Sequence, residues 1–264
     1  MPLVFVKLGG SLITDKTRPY TARLEKLASL AAEMASALSG DPDLHLILGH
    51  GSGSFGHTAA SRYGTRLGVH TPEAWRGFAE VWYQASSLNH FVIEALHLAG
   101  LPAVSFSPSA SLTAHDGKIL IWDHNRIQSA LSNNLLPVIH GDVVFDEIRG
   151  GSILSTEDLF DHLARQLHPE RVLLAGLEAG VWADFPSRER MLVEITPDSV
   201  TQMAPSLGAA IGADVTGGMH SKVTGMMSLI EAIPDLKILI FSGEQPGNLR
   251  RALLGENPGT CLRR

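Results

Sequence analysis

Short β-rich runs alternate with stretches of helical periodicity along this chain, and that alternation constrains the fold more than any other feature. Leu3 to Leu8 reads as a buried strand. Leu24, Leu27, Ala31, Met34, Ala35 and Leu38 then recur at helical spacing until Gly40 ends the pattern. Leu44 to Leu48 reads as a second strand, about Glu73 to Leu98 as a long helix, Ala103 to Phe106 as a third strand and Leu135 to Ile139 as a fourth. Val143 to Leu154, with Arg149-Gly150-Gly151-Ser152 in its middle, reads as a β-hairpin. Ser155 opens a helix, with Asp158 placed for a capping box. Arg171 to Ala175 and Lys237 to Phe241 are further strands, with a helix from about Met219 to Ile233 between them, and Thr260 to Arg263 suits an edge strand. Strands alternating with helices make a mostly parallel sheet covered on both faces. The predicted class is therefore α/β, a three-layer αβα sandwich around a mostly parallel central sheet. The 264 residues read as one domain, with a lobe boundary in the region 150–175.

Composition narrows the function classes. Hydrophobic residues make up 44% and charged residues 18%, which supports a sizeable core and argues against disorder. The net charge of -6 argues against nucleic acid as the main partner. The one cysteine, Cys261, cannot build a disulfide framework or a cysteine metal cluster, and the cytoplasm is the expected compartment. No apolar run reaches the ~18 residues a membrane span needs. The first strand is too short to be a signal-peptide core.

Ligands of such sheets sit outside the carboxyl ends of the strands, and three glycine clusters fall there. Lys7-Leu8-Gly9-Gly10-Ser11 follows the first strand. Glycines let successive backbone N–H groups turn towards one point and form a nest for anionic oxygens, and Lys7 adds a full charge. A tight strand-to-helix turn with a solvated lysine explains the same residues, and the motif alone does not separate the two. Gly51-Ser52-Gly53-Ser54-Phe55-Gly56-His57 contains a G-x-G-x-x-G after a strand. A dinucleotide site would open a helix within that loop and end the next strand in an acidic residue about 20 positions on. Here the next stretch, Thr71 to Leu98, reads as helix and carries Glu73 and Glu80. No Gly-Lys-Ser/Thr follows, so it is not a Walker A loop either. An anion-binding loop ending in a histidine is what remains. In the third cluster, Asp214 to Lys222, Gly217 and Gly218 open a helix and Lys222 lies in its first turns. Helix N-termini attract phosphate, and a lysine placed there suggests an anion that both share.

These clusters, in this order and spacing, resemble the amino acid kinase superfamily and, within it, the isopentenyl phosphate kinases. The resemblance runs through Lys7 to Thr14, Lys16, Gly51 to His57, Pro102 to Ser105, Pro108 to Ala110, Gly141 to Val144, Asp214 to Lys222 and Pro246 to Gly255. His57 is its most specific part, because superfamily members that phosphorylate carboxylates usually lack it. Fosfomycin kinases, which also carry it, are the nearest alternative. The resemblance implies that Lys7 and Lys222 hold the ATP phosphates and the transferring group, with Gly9, Gly10, Ser11, Gly53 and Gly217 around them. It implies that Lys16 stabilises the transition state from the other side, and that His57 and the turn at Ser52 and Gly53 hold the acceptor's phosphate. Gly176 to Val181, with Glu178 and Gly180, matches the nucleotide-binding turn. The region of about 1–170 would bind the acceptor and about 171–264 would bind ATP, with Mg²⁺ carried on the ATP phosphates and no metal ligands from the protein. Isopentenyl phosphate and ATP would be the partners, in a homodimer, with no nucleic acid and no membrane.

Phosphoryl transfer depends on positioning and charge neutralisation. A phosphate monoester has a second pKa of about 6, so near neutral pH it is already a nucleophile and needs no strong base. Three lysines, a histidine and backbone donors match an acceptor that brings its own charge. The sequence departs from the family at Ser155-Thr156-Glu157-Asp158, where family members often have Ser-Gly-Asp. By that alignment Glu157 takes the place of the aspartate that orients the catalytic lysines, a catalytic-support role, and Asp158 is a second candidate. Helix capping explains the same acidic residues, and a regulator that has lost catalysis is the reading the change would favour. Trp75, Phe78 and Trp82 share a face of the long helix. Phe78 is the candidate wall of an apolar acceptor pocket, and Trp82 reads as core. Met203, Met226 and Met227 read as packing, and His45, His97 and His168 as surface or lightly buried.

Overall fold

Alternate side chains of the first strand go to opposite faces of a sheet, and both faces are buried. Val4, Val6 and Leu8 belong to one apolar cluster and Phe5 to another. A strand wet on one side would show polar residues at every second position. The computed structural model describes residues 2–184, 187–199 and 218–264.

In chain order the described elements run β1 (Leu3–Leu8), α1 (Gly10–Ile13), α2 (Leu24–Gly40), β2 (His45–His50), α3 (Gly53–Tyr63), α4 (Pro72–Leu98) and β3 (Ala103–Ser105). They continue with α5 (Pro108–Ser111), β4 (Leu112–His115), β5 (Lys118–Trp122), α6 (Asn125–Ser132), β6 (Leu136–His140), β7 (Asp142–Asp146) and β8 (Gly150–Leu154). The rest of the chain adds α7 (Thr156–Leu167), β9 (Arg171–Gly176), β10 (Val181–Trp182), β11 (Met191–Leu192), β12 (Glu194–Ile195), α8 (Gly218–Ala232), β13 (Lys237–Ser242), α9 (Asn248–Leu253) and β14 (Thr260–Leu262).

Eight strands form the main sheet in the order β12-β14-β13-β9-β1-β2-β6-β3. Pairing is parallel throughout except between β13 and β14. One face carries the apolar stripes of α2, α4 and α9, with Leu30, Met34, Leu88, Val92 and Leu249 in the core. The other carries α6, α7 and α8, with Ile127, Phe160, Leu163, Val223 and Ile230. This is the expected αβα sandwich. A second sheet, β5-β4-β7-β8, stands beside it.

Several sequence expectations need correcting. The tail strand β14 is not an edge, because β12 covers it. The β4–β5 hairpin and α6 were not expected. The second glycine cluster is a loop only as far as Ser52, since α3 begins at Gly53. Trp82 is not core: it is 45% exposed. The buried stripe of α4 runs Gly77, Phe78, Val81, Ala85, Leu88, and Trp75 and Trp82 flank it.

Candidate active site

The carboxyl ends of five parallel strands come out on one edge, and backbone hydrogen bonds tie each exit to its neighbour. Gly9 donates to Ala175 at 2.8 Å, Gly51 to Leu8 at 3.0 Å, Gly141 to His50 at 3.1 Å and Gly243 to Gly176 at 2.9 Å. Glycines hold all four donor positions, so the chain turns off the sheet without side chains filling the cleft.

The first two glycine clusters interlock. A Cβ on Gly10 would stand 2.6 Å from the Cα of Gly53, and one on Gly51 would stand 2.9 Å from the Gly10 nitrogen. Gly53 also holds φ +47, in the left-handed region. Thr14 stitches the two loops together. Its hydroxyl donates to Gly10 O at 2.7 Å and accepts from Ser54 N at 3.1 Å. The N–H groups of Phe55 and Gly56 go to Ser52 O. Among the described residues no acceptor takes the N–H groups of Ser52 or Gly53, which leaves these two donors at the start of α3.

Strand alternation puts Lys7 on the Phe5 face, towards α7 and α8. There its ammonium pairs with Glu157, the second residue of α7. Burial pushes the Glu157 carboxyl up, but the charge and hydrogen bond of Lys7, and then the charge of Lys222, hold it below the ordinary glutamate value. Lys7, Glu157 and Lys222 therefore form one electrostatic cluster. Asp158, the other acidic candidate, is consumed by the helix start. It accepts from Ser155 N at 2.8 Å and from Ser155 Oγ at 2.7 Å, and its own N–H returns to Ser155 Oγ at 3.2 Å.

Lys16 lies on an exposed strap between the bridged residues Thr14 and Ala22. Among the described residues it makes no ion pair. The strap leans on α3, since the Tyr20 ring meets Phe55 edge-on at 6.1 Å. Ser11 is half-buried in α1. His57 is exposed in the second turn of α3. Ala59 and Ala60, just beyond it, join a small apolar cluster with Val69, Phe78, Val81, Val143 and Ile153. Phe78 is buried there, with its ring 5.2 Å from Trp75 and 5.2 Å from Phe145. At the far side, Glu178 pairs with Arg188 at 3.0 Å and accepts from Trp182 Nε1 at 3.2 Å, while Gly180 packs on Thr260. Gly217 and Met203 lie outside the described residues. Among the described residues no three His, Cys, Asp or Glu side chains are grouped to hold a metal ion.

Sequence reading missed a buried polar group under the cleft. His50 and His140 end β2 and β6, are fully buried, and stack at 5.3 Å. His50 Nε2 meets Asn89 Oδ1 at 3.1 Å, and Asn89 donates to Ser105 at 2.9 Å. Burial, then the neighbouring His140, push the His50 imidazole down to about 3, and burial takes His140 down to about 4. Asp142 lies 3.8 Å from His140 Nε2. Burial raises its carboxyl to about 6, against hydrogen bonds from Ser109 and the Val143 N–H. The signal was present as a repeated ending, Leu48-Gly49-His50-Gly51 and Val138-Ile139-His140-Gly141, in which an apolar strand closes on His-Gly.

Residues 2–242 match the model of the amino acid kinase family. The chain is similar to an isopentenyl phosphate kinase of Methanothermobacter thermautotrophicus, 36% identical over 96% of each chain. It is also similar to one of Methanocaldococcus jannaschii, 32% identical over 98% of this chain and 97% of the relative. A crystal structure of isopentenyl phosphate kinase superposes with a TM-score of 0.82 at 33% identity, covering 98% of this chain and 99% of the other.

Proposed function

The chain belongs to the amino acid kinase family, in the branch of the isopentenyl phosphate kinases, and from that membership we propose how its cleft works. The reaction moves the γ-phosphoryl group of ATP onto the phosphate of isopentenyl phosphate, giving isopentenyl diphosphate and ADP. The observation that carries the reading is the Lys7–Glu157–Lys222 cluster beside the interlocked glycine turns.

Lys7 and Lys222 neutralise the oxygens of the group in transfer, and Glu157 holds the Lys7 ammonium to one point. Gly9, Gly10 and Ser11 present backbone to the nucleotide phosphates, and Glu178 and Gly180 flank the nucleotide from the β9 side. The acceptor phosphate sits at the free N–H groups of Ser52 and Gly53, held by His57, with Lys16 on the strap above. Its short branched tail lies along the Phe78 cluster, which starts two residues beyond His57. The acceptor oxygen attacks as its own nucleophile, with the γ-phosphorus roughly in line, and the leaving oxygen stays on ADP. The cleft offers lysines and a glutamate already engaged by Lys7, so Mg²⁺ would be held by the ATP oxygens and would supply neutralisation of phosphate charge. On this reading residues about 1–170 serve the acceptor and about 171–264 the nucleotide, in a cytoplasmic homodimer.

The test is a stoichiometric one. The protein with ATP, Mg²⁺ and isopentenyl phosphate is expected to form isopentenyl diphosphate and ADP in equal amounts, read by phosphorus NMR. Transfer to fosfomycin with none to isopentenyl phosphate would move the assignment to the sister activity. Hydrolysis of ATP with no phosphorylated acceptor would remove it.

A further inference from the structure

Between the cap residue Ser155 and Glu157 stands Thr156, only 1% exposed. Its hydroxyl donates at 2.7 Å to the carbonyl of His50, 106 residues away in sequence. His50 is the last residue of β2, and Gly51 begins the acceptor turn. The same carbonyl accepts from Gly141 at the exit of β6, at 3.1 Å. The methyl group of Thr156 lies over Gly49, where a Cβ would stand 2.5 Å from it. One carbonyl thus joins the strand feeding the acceptor turn, the exit of β6 and the first turn of the helix that carries Glu157. Starting α7 does not require this bond, because Ser155 and Asp158 already complete a capping box.

We infer that Thr156 is a positioning residue whose bond to the His50 carbonyl fixes the acceptor turn relative to the Lys7–Glu157–Lys222 cluster. This rests on the reading of that cluster as the site of transfer. Phosphoryl transfer is sensitive to such spacing, since an ångström of misplacement costs on the order of a hundredfold in rate. Thr156→Val keeps the shape and removes the donor. It leaves no orphaned acceptor, because Gly141 still donates to His50. Thr156→Ser keeps the donor.

Steady-state kinetics and thermal midpoints of Thr156→Val, Thr156→Ser, Thr156→Ala and Glu157→Gln decide the matter. Thr156→Val is expected to lose about 10- to 100-fold in kcat while both KM values stay within about threefold. Thr156→Ser is expected to stay within about threefold of wild type in kcat. A purely structural role would lower the midpoint and leave the kcat of the folded enzyme alone. Wild-type kcat in Thr156→Val, or a loss in Thr156→Ser as deep as in Thr156→Val, overturns the inference. If Thr156→Val does not fold, the serine and alanine variants carry the comparison. Alanine at least about tenfold below serine supports the bond, and equal rates overturn it. Glu157→Gln at wild-type turnover would instead sink the reading of the cluster, and this inference with it.

Discussion

In the proposed mechanism a carboxylate that feels the charge of two lysines serves both sides of a phosphoryl transfer. Before ATP arrives, Glu157 partly neutralises Lys7 and Lys222, which lets two cations share one cleft. On the same proposal it restrains Lys7 with ATP bound, so the ammonium does not follow the departing charge. Glutamate in place of aspartate is a change of reach rather than of chemistry, because α7 begins where one more methylene still meets Lys7. On the acceptor side the proposal turns on His57. A hydrogen bond to a charged phosphate contributes roughly 1.5–3 kcal/mol. His57→Ala is therefore expected to lower kcat/KM for isopentenyl phosphate by about 10- to 100-fold. ATP affinity should stay unchanged, since in the proposed mechanism the nucleotide phosphates rest on Lys7, Lys222 and the Gly9–Ser11 turn. Wild-type kcat/KM in this variant would take His57 out of the site.

At the scale of elements, the glycines of the first two clusters answer to each other. Gly10 and Gly53 meet backbone to backbone, so a methyl group on either has nowhere to go. Gly10→Ala is expected to destabilise the fold by about 1–3 kcal/mol, as overpacking does, and to lower the thermal midpoint by about 2–10 °C. Gly225→Ala on α8 is the control of opposite sign. No atom lies within 4 Å of a Cβ there, so relief from a helical glycine should add about 0.5–1 kcal/mol. Equal effects in the two variants would contradict the interlock. The same contact explains what the sequence could and could not disclose. The strands at 3–8, 171–176 and 237–242 were legible because a strand buried on both faces is a continuous apolar run. The helix at 53–63 was not, because it opens on Gly-Ser-Phe-Gly, and contact with the first loop overrides poor helix propensity. The β4–β5 hairpin hid because Leu120 and Ile121 are 46% and 65% exposed, so the strand lacks alternation. In the site, residue types marked Lys7 and Lys222 and the capping pattern marked Asp158, but only packing pairs Glu157 with Lys7.

For the molecule as a whole, the two stacked histidines make stability fall as pH drops. His50 and His140 titrate at about 3 and about 4 in the folded protein, against 6.5 when exposed. Above 6.5 both are neutral folded or unfolded, and neither costs anything. As pH falls below 6.5 the unfolded chain binds protons that the folded chain refuses. Each histidine then removes about 1.4 kcal/mol of stability per pH unit until its folded pKa is reached. Asp142 acts with the opposite sign. Its folded pKa of about 6 lies above the ordinary 3.8, so its burial costs stability above pH 6 and that cost is relieved as pH falls towards 3.8. Between pH 6 and 4.5 the aspartate offsets one histidine and the other remains, for a net loss of about 1.4 kcal/mol per unit. Unfolding free energies from denaturant titrations are expected to fall with that slope between pH 6 and 4.5. His140→Phe removes one histidine and leaves Asp142 to offset His50, so the profile between pH 6 and 4.5 should flatten. A His140→Phe profile parallel to wild type would mean that the loss at acid pH arises elsewhere in the fold. A flat one would place it in the stacked pair at the ends of β2 and β6, beneath the Gly51–Ser52 turn.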